Sequence, residues 1–146
     1  MRRTFGIVSL NVSARTGTTK TPVERVELRE DHGIVGDAHA GPGNRQVSLL
    51  GIEDVDSMRT KLPELEPGDF AENVTTRGID LPALPLGTRL EIGEALLEVT
   101  KIGKECHRGC EILRKTGDCV MPRRGIFARV VRGGEVRRED TGAYDL

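Results

Sequence analysis

The stretch TRLEIGEALLEVTKI, residues 88–102, alternates apolar and polar side chains on both sides of Gly93-Glu94. An extended chain turns successive side chains to opposite faces, and a glycine between two such runs permits a tight reversal, so 88–102 predicts two adjacent antiparallel strands. IFARVVRGGEVRRE, residues 126–139, repeats the pattern about Gly133-Gly134, a pair suited to the positive φ of a type I′ turn, and predicts a second hairpin. Toward the N-terminus, FGIVSLNVS (5–13), VERVELRED (23–31), RQVSLL (45–50) and the end of LPELEPGDFAENVTT (62–76) each predict a strand. SARTGTTKTP (13–22) reads as a polar loop ended by Pro22, and LPALPLGT (81–88) as an irregular apolar loop whose prolines forbid a central strand. Within GIEDVDSMRTKL (51–62), Ile52, Val55, Met58 and Leu62 fall at helical spacing. Acidic residues early and basic ones late suit the helix dipole, and Pro63 ends the segment. CEILRKTG (110–117) predicts one or two further helical turns ended by Gly117. Seven or eight short strands with two small helices make a mostly β protein. The expected architecture is a closed or nearly closed β-barrel of short, mainly antiparallel strands, a single domain over residues 1–146.

Composition agrees. The chain has 146 residues, a hydrophobic fraction of 36%, eighteen glycines and only four aromatics, Phe5, Phe70, Phe127 and Tyr144, which suits short strands and tight turns better than a helical bundle. No apolar run approaches the roughly 20 residues of a membrane helix, and MRRTFGIVSL lacks the features of a secretory signal, so the expectation is a cytoplasmic protein with no membrane partner. A net charge of −1 argues against a general nucleic-acid binder. The charge is unevenly spread. Between Lys101 and Arg138 there are eleven Lys/Arg and four Asp/Glu, a surplus of 11 − 4 = +7 that leaves −8 elsewhere. The bland reading of Arg129, Arg132, Arg137 and Arg138 is a solvated strand face.

All three cysteines, Cys106, Cys110 and Cys119, lie in that basic segment. In a reducing compartment they are thiols, ligands or catalysts before they are standing disulfides. GKECHRGC (103–110) offers C-x-x-x-C spacing with His107 between, which fits neither the paired ligands of a structural zinc site nor a C-x-x-C redox motif, although both chemistries stay open as lesser alternatives. Cys110 and Cys119 also suit simple packing. Cys106 follows a strand, precedes the expected helix and has Lys104, His107 and Arg108 beside it, features that favour a thiolate. Such a thiolate can attack an electrophile, carry a persulfide or ligate a thiophilic metal. A second constellation is VGDAHAGPGNRQVSLL (35–50), where Gly36, Gly41 and Gly43 permit close approach of a ligand and Asp37, His39, Arg45 and Gln46 supply polar heads. The alternative there is a glycine-rich turn with Asp37 in a local Asx bond. No nucleotide-binding fingerprint is present.

GDAHAG with RQVSLL, then PGDFAENVTTRGIDL, then LPLGTRLEIGEALLEVTKIGKEC, then CVMPRRGIFARVVRGG, in that order, resemble the MOSC family, the domain named for the C-terminus of molybdenum cofactor sulfurase. The resemblance runs from about Val35 to Gly134 and points to a stand-alone, single-domain, bacterial-type member. It implies a β-barrel that binds the molybdenum cofactor, a molybdopterin, with the family's characteristic cysteine at Cys106. That cysteine would be either a molybdenum ligand, as in relatives that reduce N-hydroxylated compounds, or a sulfur carrier. Arg45, Lys104, Arg108 and Arg123 become candidates for the anionic pterin and phosphate end, and His39 and Asn73 candidate donors near the metal or substrate. An electron donor or a cofactor-biosynthesis protein is the implied partner. No lysine motif of a pyridoxal-phosphate desulfurase is present, so this chain alone is not expected to bind pyridoxal phosphate. Two functions follow: a molybdenum-dependent oxidoreductase, or a non-catalytic persulfide carrier or cofactor delivery module.

Overall fold

The computed structural model describes residues 2–15, 19–103 and 124–145. Its strands are β1 (Arg2–Val12), β2 (Thr21–Val23), β3 (Arg25–Arg29), β4 (Gly33–Ile34), β5 (Val47–Gly51), β6 (Val74–Arg77), β7 (Arg89–Ile92), β8 (Ala95–Ile102), β9 (Ile126–Arg132), β10 (Gly134–Arg137) and β11 (Thr141–Asp145). Among the described residues there is one helix, α1 (Ile52–Met58), which follows β5, and one 3₁₀ turn at Leu81–Ala83. Seven strands close a barrel in the order β11-β7-β8-β9-β5-β6-β1, with β1 returning to β11 from Arg2↔Asp145 to Gly6↔Thr141. β2 hangs on the end of β1, while β10, β3 and β4 form a separate small sheet.

The alternation that predicted the strands also fills the barrel. Leu90 and Ile92, Ala95, Leu97 and Val99, and Ile126, Ala128 and Val130 join Phe5, Leu10, Val47, Leu49, Val74 and Tyr144 in one buried cluster. Every residue of β5 is buried, because its other face meets a second core. There Leu50 and Phe127 pack with Ile52, Val55 and Met58 of α1 and with Leu65 and Phe70. The helix matches its predicted face but stops at Met58, with Arg59 at the C-cap and no basic residue inside the last turn.

Two expectations are corrected. Gly133-Gly134 is not a hairpin turn: β10 leaves β9 and pairs with β3, from Gly134↔Leu28 to Arg137↔Arg25. A Cβ on Gly133 would lie 2.6 Å from the Leu28 carbonyl oxygen and one on Gly134 2.6 Å from Cβ of Glu94, so the two glycines let the chain cross closely between β3 and the β7–β8 turn. VERVELRED is not one strand, because the chain breaks at Glu24, passing from the barrel side to the small sheet. LPALPLGT forms no strand, as its prolines predict, and holds the 3₁₀ turn, its proline sitting at the start where a missing N–H costs nothing. The helical turn expected over 110–117 lies outside the described residues.

A belt of buried polar groups holds β1, β5 and β6 in register. Ser48 N–H donates to Asn73 Oδ1 at 3.0 Å, and the Asn73 amide donates to the Asn11 carbonyl at 3.2 Å. The Asn11 amide donates to the Glu72 carbonyl and to Thr75 Oγ1, both at 3.1 Å. Glu72, fully buried, accepts from Gly68 N–H at 3.1 Å and Thr75 Oγ1 at 2.7 Å through Oε2, while its Oε1 has no partner among the described residues. Burial pushes its carboxyl above the ordinary range, against the opposing pull of the Thr75 and Gly68 bonds.

Two predictions test this frame. Gly142 faces the Phe5 ring so closely that any Cβ overlaps it, and that ring also meets Tyr144 at 6.1 Å across the seam. Gly142→Ala is expected to cost about 1–3 kcal/mol in urea unfolding. Gly6→Ala is the control and should cost far less, because its nearest atom is 3.8 Å away. The native fold binds the Glu72 proton more tightly than the unfolded chain does. Stability from this group is therefore full below the unfolded carboxyl range near 4.3 and is lost as pH rises above it. Glu72→Gln should consequently raise stability at pH 7 by about 1 kcal/mol, with the gain vanishing near pH 4 in paired urea titrations.

Candidate functional site

The glycine-rich loop between β4 and β5 is built by its own backbone bonds. Asp37 N–H and Ala40 N–H close successive turns on the Ile34 and Asp37 carbonyls at 3.1 Å each, and Ala38 N–H reaches the Ser13 carbonyl at 2.8 Å. Gly36, Gly41 and Gly43 have φ of +87°, +147° and +122°, and among the described residues no atom beyond their chain neighbours lies within 4 Å of a Cβ built on any of them. Left-handed backbone requires the glycines, and the open space beside them would admit a ligand to the main chain.

Asp37 does not face that space. Its side chain is buried, and Oδ1 accepts from Lys20 Nζ at 2.8 Å and from Ser13 N–H at 3.0 Å, while Oδ2 accepts from His39 N–H at 3.2 Å. The last is the local Asx contact, so of the two readings of Asp37 the structural one is found, and the buried carboxylate is not a polar head turned to the open space. Burial raises the carboxyl's cost of ionisation, but the Lys20 ammonium and the Ser13 N–H outweigh it and hold Asp37 below its ordinary range. That stabilisation is present above the unfolded carboxyl range and is lost as acid protonates Asp37. Lys20 Nζ also lies 2.8 Å from His39 Nδ1 and 3.3 Å from Ser13 Oγ. The Lys20 side chain is fully buried, whereas that of His39 is 33% exposed.

Arg45 is exposed at the far end of the loop, its guanidinium 5.5 Å above the Phe127 ring. Next to it the Asn44 carbonyl accepts from Thr100 Oγ1 at 2.6 Å. Thr100 stands on β8 three residues before Gly103, whose N–H donates to the Gly125 carbonyl at 2.7 Å. The described chain therefore leaves for residues 104–123 and returns from them at one joined root, and the loop is tied to the strand that ends there. Arg124 braces the root, donating from Nε to Asp54 Oδ1 at 3.0 Å and from its NH2 group to Asp80 Oδ1 at 2.7 Å. Gln46 is also an anchor: it accepts from Val130 N–H at 2.9 Å and donates to Asp31 Oδ1 at 2.8 Å.

Of the residues singled out from sequence, His39 and Arg45 lie on this loop and Asn73 lies in the buried belt, its side chain bonded to Ser48 and Asn11. Cys106, Lys104, Arg108 and Arg123, together with His107, Cys110 and Cys119, fall outside the described residues. Lys20 was not among the candidates. A lysine in a polar loop ordinarily keeps its head in water, and only the pairing with Asp37 reveals otherwise. Among the described residues no three His, Cys, Asp or Glu side chains converge as a metal site. A groove of about 510 Å³ on the small sheet is lined by Arg25, Glu27, Glu94 and Glu135 and includes none of the candidates.

The sequence profile of the MOSC domain matches residues 36–141. Among solved structures, the YuaD protein from Bacillus subtilis superposes with a TM-score of 0.83 at 21% identity, covering 100% of this chain and 98% of its own. YiiM from Escherichia coli gives 0.71 at 18%, covering 100% and 70%, and YiiM from Geobacillus stearothermophilus gives 0.72 at 21%, covering 97% and 75%. These likenesses establish the shared barrel. No curated protein matches the chain. The profile takes in nearly all of the glycine loop, the Ser48–Glu72–Asn73–Thr75 part of the buried belt, the β8–β9 root and most of the barrel, and by that match the chain belongs to the MOSC domain family.

Proposed function

We propose that this chain binds the molybdenum cofactor at the barrel rim, where loop 35–46 meets the root of residues 104–123, with Cys106 as the thiolate ligand. Its activity is then the reduction of N-hydroxylated small molecules or the transfer of sulfur or cofactor to a partner. One observation carries the reading. In a MOSC domain, an open glycine loop bearing an exposed arginine and a part-exposed histidine is bonded through Asn44 to β8, three residues before the strand gives way to the segment that holds Cys106.

The donor set fits a molybdopterin. Its phosphate needs an accessible cation, and Arg45 is exposed with its guanidinium carbon 5.5 Å from the Phe127 ring. Lys104, Arg108 and Arg123 add positive charge from the cysteine segment in sequence. His39 supplies a polar ring at the other end of the loop. Asn73 acts through the backbone it holds, fixing the β5–β6 junction beneath the loop. The cofactor when bound supplies a redox-active metal and a dithiolene. The chain supplies the thiolate, kept ionised by its basic neighbours, and an electropositive rim that orients the phosphate. Three thiols in one short segment favour the second reading, in which Cys106 carries persulfide sulfur and exchanges it with Cys110 or Cys119.

Protein purified anaerobically from cells that make the cofactor is expected to contain near-stoichiometric molybdenum and pterin, both lost in Cys106→Ser. Absence of molybdenum from both proteins, with a mass gain of one sulfur on the native chain alone, would replace cofactor binding by persulfide carriage. Arg45→Ala is expected to lower cofactor retention about tenfold, the worth of a charge-assisted phosphate contact, and to leave the urea midpoint unchanged.

A further inference from the structure

We propose that Lys20, anchored by Asp37, fixes the His39 imidazole as a neutral ring protonated at Nε2, so that His39 is a hydrogen-bond donor to a ligand oxygen and neither a metal ligand nor a general base. The geometry leaves little choice. Asp37 is buried and accepts three hydrogen bonds from N–H groups, which is the environment of a carboxylate. A buried carboxylate needs a cation, and Lys20, 2.8 Å away with its side chain equally buried, is that cation. An ammonium has three N–H donors and no lone pair. Ser13 Oγ, at 3.3 Å, already donates its own hydrogen to the Arg15 carbonyl at 3.1 Å and must accept from Lys20. His39 Nδ1, at 2.8 Å, can likewise only accept.

An imidazole whose Nδ1 accepts carries its proton on Nε2. Adding a second proton would set N–H against the ammonium. The other charge near the ring among the described residues is Asp37, whose Oδ2 lies 4.0 Å from Nδ1, farther than Lys20 and already neutralised by it. Coordination of a cation through Nε2 would need the proton on Nδ1, the position Lys20 occupies. The ring is therefore matched to an anionic or carbonyl-type oxygen. Lys20 and Asp37 are positioning residues: they touch the ring and its backbone, and their effect on a ligand runs through His39.

What the donor meets rests on the cofactor reading above; the protonation of the ring does not. The test uses nitrogen-15 histidine NMR on the full chain without cofactor, His39 being assigned by its loss in His39→Gln. At about pH 5.5, where an unconstrained imidazole is mostly charged, His39 should show one pyridine-type nitrogen at Nδ1 and one protonated nitrogen at Nε2. A charged ring, or a proton on Nδ1, overturns the proposal on native protein alone. Lys20→Met by itself leaves Asp37 buried and unpaired and is expected to fold poorly. The double change Lys20→Met with Asp37→Asn removes both charges, and its His39 should become an imidazolium at the same pH; a ring that stays neutral there shows that Lys20 is not the cause. In cells that load the cofactor, His39→Gln, which keeps an N–H donor, should retain pterin and molybdenum within about threefold, and His39→Phe should lose about tenfold, the worth of a hydrogen bond to a charged oxygen. Unchanged retention in His39→Phe overturns the donor role even where Cys106→Ser abolishes binding. Loss of the cofactor reading through Cys106→Ser would in turn leave the NMR result standing.

Discussion

A closed ring of strands that are all antiparallel to their neighbours must have an even number of members. This barrel has seven, so at least one neighbouring pair is parallel, and that pair is β5 and β6, aligned from Leu49↔Val74 to Gly51↔Thr76. Parallel neighbours cannot be joined by a tight turn. The chain between them, residues 52–73, must cross outside the barrel, and much of what distinguishes this protein rides on that crossover. It carries α1 and the second core, which bury the outer face of β5. It then brings Gly68, Glu72 and Asn73 back against β1 and β5. The Gly68 carbonyl receives Lys20 N–H at 2.8 Å, and a side chain on Gly68 would strike the Lys20 carbonyl. The lysine that orders the candidate site is thus seated on the crossover that parity demands.

Buried polar groups here serve two ends that energetics separates. The Asn11–Glu72–Asn73 belt satisfies backbone and side chains at a junction where strand pairing changes direction, a place where unpaired groups would each cost about 1–3 kcal/mol. Asp37 likewise satisfies the Ser13 and His39 N–H groups, but the Lys20 ammonium facing it answers no such backbone need. A neutral acceptor at 37 with an apolar residue at 20 would keep those backbone bonds and serve the fold about as well, since desolvation cancels most of the attraction in a buried ion pair. Its distinctive product is the orientation and protonation of the neighbouring ring, which is the reason to read it as part of the site.

The elements that sequence made legible are those whose pattern is set locally. The alternation around Gly93-Glu94 and the spacing of Ile52, Val55 and Met58 depend only on which face is buried, and both appear as read. The barrel followed from counting such strands. What sequence hid depends on distant partners. Gly133-Gly134 suits a hairpin turn and a close crossing equally, and the choice is made by Leu28 and Glu94, residues far along the chain. The break at Glu24 is likewise invisible within VERVELRED, because both halves keep the alternation while joining different sheets. At the site, glycines and polar heads marked the 35–46 loop, but a lysine among threonines carries no sign that it will be buried.

The positive charge of the C-terminal third is more finely divided than its surplus of +7 suggests. Arg124 is engaged by Asp54 and Asp80, Arg129 by Glu98 at 3.2 Å, and Arg137 by Glu135 at 2.5 Å. These arginines stand at the root of residues 104–123, on the barrel and on the small sheet, respectively, and their field is largely cancelled where they stand. Within 104–123 itself, five basic residues (Lys104, Arg108, Arg114, Lys115 and Arg123) meet three acidic ones (Glu105, Glu111 and Asp118), a local excess of 5 − 3 = +2. Arg45 differs from these: it is exposed and lies over the Phe127 ring instead of against a carboxylate. Should the proposed anionic cofactor bind at this rim, Arg45 is the described cation placed to meet it, and a neutral His39 ring would add a donor without adding charge.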